Sequence, residues 1–138
     1  MAITTSTLPF RIVHSATICN KTVDLQANLL VNRLGALAVT GVTGVTARDR
    51  LLPQVGVNHP NPLEECFLVV THGEFPVQFD TLTSYNAMAL NSNATGLAGK
   101  LSTAVGNAPI LLEGGDNAVL IAKAVSFDGI GYGLITLK

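Results

Sequence analysis

Residues 66–79 have the sequence CFLVVTHGEFPVQF, and they predict β-structure in two segments. Residues 66–71 are a short apolar run of the kind that forms a buried strand. In residues 74–79 the phenylalanines and the valine alternate with Glu, Pro and Gln, which gives one apolar and one polar face. The dipeptide between the two segments, residues 72–73, is short enough to turn a β-hairpin.

Proline interrupts the polar face of the second predicted strand at Pro76. Because proline has no N–H to donate to a β-ladder, we expect this strand to lie at a sheet edge or to be paired on one side only at Pro76. Glu74 and Gln78 share the exposed face with it. An edge strand of this kind is a natural contact for a neighbouring subunit, and we therefore predict Glu74, Pro76 and Gln78 at an interface.

Short segments rich in Val, Ile, Leu, Thr and Phe recur about every ten residues between Pro, Gly, Asn and Asp, which is typical of an all-β sandwich or barrel. Further strands are predicted at residues 10–19, 36–45, 51–57, 109–112, 118–125 and 131–137, with turns at 113–117 and 126–129. The expected fold class is mainly β: a small sandwich or barrel of short antiparallel strands, in a single domain that spans residues 1–138.

One segment departs from this pattern. Val23, Ala27, Leu30 and Leu34 recur at helical spacing, and Gly35 stands where a C-cap glycine belongs. The spacing predicts one helix over residues 23–34.

The composition favours assembly with a partner. Only 12% of the 138 residues are charged and the formal net charge is −1, whereas an average soluble domain has roughly 25% charged residues. Much of the surface is therefore neutral, and such a surface resists association poorly. The alternative is a monomer with a Thr- and Asn-rich surface.

The same composition argues against two classes of partner. The basic residues are dispersed along the chain, so no basic stripe marks a nucleic-acid interface. The longest charge-free segment, residues 81–99, is interrupted by Asn, Ser and Thr, so it does not read as a membrane span. We expect neither nucleic acid nor membrane as a partner.

Motifs for catalysis are missing from the sequence. It has no Gly-x-Ser-x-Gly elbow and no phosphate loop that ends in Gly-Lys-Ser/Thr. No His-x-x-x-His or Cys-x-x-Cys spacing marks a metal site, and His59 and His72 would meet only if the intervening loop folded back. We therefore predict no catalytic residue, no metal and no cofactor, and we keep an enzyme or small-ligand binding domain that uses residues 59–74 as an alternative.

Three segments resemble a pattern found in tailed-bacteriophage capsid decoration proteins, also called cement proteins. They are Gly73–Val77, Tyr85–Leu90 and Thr95–Leu101, and residues 118–125 and 133–137 correspond to the last strands of that family. The resemblance extends over residues 36–138, and the predicted helix has no counterpart in it.

The resemblance implies a β-rich structural protein, usually trimeric, that binds the outer surface of an icosahedral phage head and clamps neighbouring major-capsid subunits. In this family an N-terminal arm often contributes to the clamp. Residues 1–10 would supply it here, because they carry no charge and are rich in Ser and Thr. Leu8, Phe10 and Ile12 are then the expected contacts.

The partners implied by the resemblance are the major capsid protein and further copies of this chain in a homotrimer, at the capsid surface of the virion. Three copies that engage together bind far more tightly than one, so modest contacts suffice and no catalytic group is needed. Another β-rich virion component, such as a tail-tube, head-fibre or spike subunit, remains open as an alternative.

Overall fold

The computed structural model describes residues 9–18, 26–47, 67–79, 99–101, 110–125 and 129–137. Six strands in these ranges form one curled antiparallel sheet. They are β1 Arg11–Ile18, β2 Leu30–Val31, β3 Gly44–Thr46, β4 Phe67–Gln78, β5 Val119–Val125 and β6 Gly131–Leu137. The described ranges contain no helix, so the mainly β fold class predicted from the sequence is confirmed. It follows that they contain no helix capable of spanning a membrane.

The longest of these strands, β4, lies at the centre of the sheet. β1 pairs with its residues 67–74 and β6 with its residues 73–78. Because Gly73 and Glu74 pair with both strands, β1 and β6 lie on opposite sides of β4. β3 pairs with β4 at residues 69–70, β2 pairs with β3, and β5 pairs with β6. The order β1–β4–β6–β5 therefore runs across the sheet with alternating strand directions.

The main hydrophobic core packs on one face of β4 and is closed by side chains from the neighbouring segments. Its fully buried members include Leu30, Val45, Val70, Val77, Leu101, Ile110 and Ile135. A smaller cluster joins Val31, Phe67 and Val69. The valine, isoleucine and phenylalanine side chains among them are the types that favour a pleated, half-buried surface.

The hairpin predicted at residues 72–73 is wrong, because β4 runs through these residues as one continuous strand. Val70 packs in the same core cluster as Phe75, although residues on one face of a regular strand differ by an even number. The alternation therefore shifts once between them. Gly73 has a φ of 126° there, and the β1–β4 register is irregular opposite it. Because of this shift, one continuous strand has the sequence pattern of two separate strands.

The helix predicted over residues 23–34 is wrong for its described part, residues 26–34. Leu30 belongs to β2 and is fully buried, whereas Leu34 is 63% exposed, so the apolar residues at helical spacing do not share one face. The backbone here forms hydrogen bonds with distant segments instead of within a helix: Leu30 N donates to Gly99 O at 2.8 Å. Gly35 does have a positive φ, 81°, but it lies in a turn rather than at a helix end.

Three predicted strands are confirmed, since residues 10–19, 118–125 and 131–137 contain β1, β5 and β6. The last two pair as antiparallel neighbours, as the predicted meander requires. Residues 36–45 contribute only the start of β3 besides isolated bridges. Of the strand predicted at 109–112, the described residues 110–112 contain only such bridges. The strand predicted at 51–57 and residues 1–8 of the predicted arm lie outside the described residues.

Candidate functional site

β1 is exposed along almost its whole length. Seven successive residues, 11–17, are exposed, and Phe10 immediately before them is 56% exposed. Ile12 and Val13 are 45% and 48% exposed. Since successive side chains of a strand point to opposite faces, both faces of β1 are open, although the strand is paired with β4.

An ion pair and an aromatic contact hold the start of β1 against β4. Arg11 Nε and Nη2 donate to the two carboxylate oxygens of Glu74 at 3.0 and 2.9 Å. This fork lowers the pKa of Glu74 below its usual value, chiefly through the hydrogen bond, and raises the pKa of Arg11. The Phe10 ring meets the Phe75 ring edge-on with centroids 5.1 Å apart. β1 is therefore held by backbone pairing and a surface ion pair more than by burial.

Two histidines face each other in the middle of the β1–β4 pair. The rings of His14 and His72 are 5.3 Å apart between centroids and nearly perpendicular. Thr71 Oγ1 lies 3.0 Å from His72 Nδ1 and donates to the His14 carbonyl oxygen at 3.2 Å. These contacts fix the position of His72 next to a cleft.

The cleft has a volume of about 390 Å³ and both polar and apolar walls. It is lined by Val42, Thr43, Thr71, His72, Leu112, Glu113, Gly114 and Asp116. Thr43 Oγ1 is buried and has no hydrogen-bond partner among the described residues. Glu113 accepts a hydrogen bond from Arg33 at 2.9 Å. No group of three or more His, Cys, Asp or Glu side chains within the described ranges could hold a metal ion.

The residues predicted at the Pro76 interface separate into two groups. Glu74 is half-buried in its pair with Arg11 and belongs to the β1 surface. Pro76 and Gln78 are buried, and Gln78 is only 7% exposed, so their prediction as surface contacts is wrong. The physical reason is that the Gln78 side chain donates to Ala27 O at 2.8 Å, beneath the segment that leads into β2.

The prediction about pairing at Pro76 is confirmed in one of its two forms. β4 is not an edge strand, because β1 and β6 pair on opposite sides of it. At Pro76, however, the ladder is one-sided among the described strands: Pro76 pairs with Leu134 of β6, whereas the β1 ladder ends at Glu74. The Pro76 carbonyl oxygen accepts a side-chain hydrogen bond from Asn28 at 2.9 Å.

The predicted arm residues are placed only in part. Leu8 lies outside the described residues, while Phe10 and Ile12 lie at the start of β1 with exposed side chains. Val119 and Ile121 of β5 are 56% and 53% exposed, and they are not among the surface residues predicted from the sequence. Their segment is a nearly continuous apolar run that predicts burial, and no local signal marks its exposed side.

No protein-family model, no curated protein and no solved structure matches this chain. Its candidate functional surfaces are therefore defined by geometry alone: the open strand β1 and the cleft beside His72.

Proposed function

We propose that this chain is a structural virion protein that binds the outer surface of an icosahedral phage capsid and clamps neighbouring major-capsid subunits. The exposure of β1 carries the proposal. A strand that leaves both faces open and presents Phe10, Ile12 and Val13 to solvent offers a surface for protein–protein contact.

The start of β1 also suits the clamp that the sequence resemblance implies. Leu8, Phe10 and Ile12 alternate along the chain, and the last two are exposed. An extended segment of this kind presents alternate apolar side chains to its partner, so it needs little charge. That agrees with a chain of which only 12% is charged.

In this proposal several copies associate, as a homotrimer, and attach together to the major capsid protein. Each contact is then modest, and the assembly gains its strength from multivalency. The work of the protein is mechanical, and no cofactor takes part in it.

The test uses icosahedral heads assembled from the major capsid protein of the same genome. Purified full-length protein is added, and occupancy is measured by co-sedimentation. Deletion of residues 1–9 is expected to abolish binding, and Ile12→Asp to weaken it by about tenfold or more, because a buried apolar contact is lost. Circular dichroism checks that the sheet remains folded.

A matched control is Leu34→Asp, which changes another exposed leucine-sized side chain, 63% exposed, in a turn that is not part of β1. It is expected to bind as the wild type does. Unchanged occupancy after both the deletion and Ile12→Asp would contradict the proposal.

A second candidate function is the binding of a small polar ligand in the cleft. The observation that favours it is the buried hydroxyl of Thr43, since buried polar groups normally have a partner. Hydroxyl groups of a ligand would find His72 and Glu113 on the polar wall and Leu112 on the apolar wall. A sugar has this combination of surfaces.

D-Glucose is a suitable probe for this second candidate. A concentration-dependent rise in the unfolding temperature that is lost in both Thr43→Val and His72→Ala would support ligand binding. No rise at millimolar glucose would count against a sugar ligand and leave the capsid proposal as it stands.

A further inference from the structure

Three of the described strands have one ladder partner each: β1, β5 and the short, buried β2, which pairs with β3. Of these, β1 and β5 lie at opposite ends of the order β1–β4–β6–β5. β1 pairs with β4, and β5 pairs with β6. Each of them exposes large apolar side chains: Ile12 and Val13 on β1, and Val119 and Ile121 on β5. An exposed apolar edge strand is a template for pairing with another chain.

The two strands match in length and in chemistry. β1 has eight residues and β5 has seven, and neither contains proline. In each strand the residue that interrupts the ladder register is an exposed aliphatic one. Val13 has no partner between the pairs formed by Ile12 and His14, and Ile121 has none between Leu120 and Ala122. These side chains are 48% and 53% exposed.

The strand directions make the two edges complementary. Every neighbour in the order β1–β4–β6–β5 is antiparallel, so β1 and β5 of one copy run in opposite directions. A rotation about an axis along the strands preserves these directions. It therefore places β5 of one copy antiparallel to β1 of the next, which is the hydrogen-bonding arrangement that already joins every pair inside the sheet.

From this geometry we propose that copies of this chain join head to tail, with β1 of one copy paired to β5 of the next, and that the sheets close into a ring. A two-fold contact between two β1 strands would satisfy one edge and leave β5 open, whereas the head-to-tail contact uses both edges.

The curvature of the sheet favours closure into a ring. The described sheet is curled, and it carries register irregularities next to both edges. Such bulges bend a strand and increase its twist. Curled units that repeat by a rotation form a ring when successive rotations add up to one full turn, and a helical filament when they do not. The inference rests on the proposed function only in its expectation that copies associate. The pairing between copies uses the backbone edge of β1.

The test blocks each edge separately in the full-length protein, using Val13→Lys for the β1 edge and Ile121→Lys for the β5 edge. Native mass spectrometry at micromolar concentration is expected to give a multiple of 14.4 kDa for the wild type and a monomer for each variant. An equimolar mixture of the two variants is expected to give a heterodimer, because one intact β5 edge then meets one intact β1 edge. Leu34→Lys, the matched control off both edges, is expected to assemble like the wild type.

Three results would overturn the inference. The first is a monomeric wild type. The second is an Ile121→Lys protein that still dimerises, as two-fold β1 pairing requires. The third is a mixture of the two variants that stays monomeric while circular dichroism shows folded sheets. Heads are absent from this experiment, so its failure is distinct from a failure of capsid binding, which is scored by co-sedimentation.

Discussion

Replacing Gly73 with alanine is expected to separate β1 from β4 while the rest of the sheet stays folded. Gly73 has a φ of 126°, a backbone conformation that residues other than glycine rarely adopt. A Cβ atom at this position would collide with the carbonyl oxygen of Arg11 and lie 3.1 Å from the nitrogen of Val13. Both atoms belong to β1, so the collision is relieved when β1 moves away.

The free-energy cost of Gly73→Ala has a global part and a local part. Holding alanine at this φ costs about 1–3 kcal/mol, which lowers the free energy of unfolding of the whole sheet. The collision adds a further term, but it falls on β1 alone. Because seven successive residues of β1 are exposed, leaving β4 uncovers little apolar surface and breaks mainly ladder hydrogen bonds. Local opening is therefore the lowest-energy response.

Hydrogen exchange read by mass spectrometry separates the two parts. Peptides that cover residues 11–18 are expected to lose their protection in Gly73→Ala, while peptides that cover residues 131–137 lose only what the global 1–3 kcal/mol explains. Gly115→Ala is the matched control: Gly115 has a φ of 93°, and a Cβ there meets nothing within 4 Å. It introduces backbone strain without the collision.

The reasoning is refuted if β1 exchanges no faster in Gly73→Ala than in Gly115→Ala. It is equally refuted if β6 loses all protection together with β1, since β1 would then be part of the cooperative core. If it holds, Gly73→Ala gives a folded protein without a docked β1, in which capsid binding and head-to-tail assembly are both expected to fail.

Three further predictions concern single side chains. Glu74→Gln should weaken the pairing of β1 with β4 at neutral pH. In the wild type, the stabilisation by Glu74 is complete above the ordinary carboxyl pKa and is lost as the pH falls through the lowered pKa of the folded state, and hydrogen exchange of β1 between pH 7 and pH 2 measures this loss. Thr43→Val should raise the free energy of unfolding by about 1 kcal/mol, because it removes a buried hydroxyl without a partner among the described residues; a loss of stability in urea denaturation would show that the hydroxyl is satisfied. Thr46→Val should lower the same free energy by about 2 kcal/mol, because the fully buried Thr46 hydroxyl makes two hydrogen bonds to backbone groups, and an unchanged urea midpoint would contradict this.

The parts of the fold that could be predicted are those with local signals. β5 and β6 are apolar runs set off by glycine and by polar turns, and both were expected close to their observed bounds. β2 has no such signal, since its two residues are a strand only because Val45 and Gly44 lie opposite them. The helical spacing of Leu30 and Leu34 predicts a helix there, because sequence periodicity carries no information about a pairing partner that lies far away along the chain.

The candidate site was predicted in the same uneven way. Alternation correctly put Phe75 and Val77 on one apolar face, and both are buried. It cannot tell whether the other face meets solvent or another segment. Gln78 was expected at the surface, yet its backbone N–H and its side chain both bond to residues 27–28. A long-range contact of this kind leaves no trace in the spacing of residues along β4.

The shortage of charge has two possible structural causes, a neutral polar surface or surfaces that associate, and the positions of exposed apolar side chains separate them. Single exposed apolar residues scattered over a surface need no explanation. In the described ranges the large ones instead fall into three groups: Phe10, Ile12 and Val13; Leu34 and Leu37; and Val119 and Ile121. Two of the groups lie at the two ends of one sheet. Apart from Arg11, which forms a salt bridge with Glu74, and Lys123, the two edge strands β1 and β5 contain no Asp, Glu, Lys or Arg. Further charges there would oppose pairing of the edges, so a protein that assembles through them has a reason to keep them poor in charge that a monomer lacks.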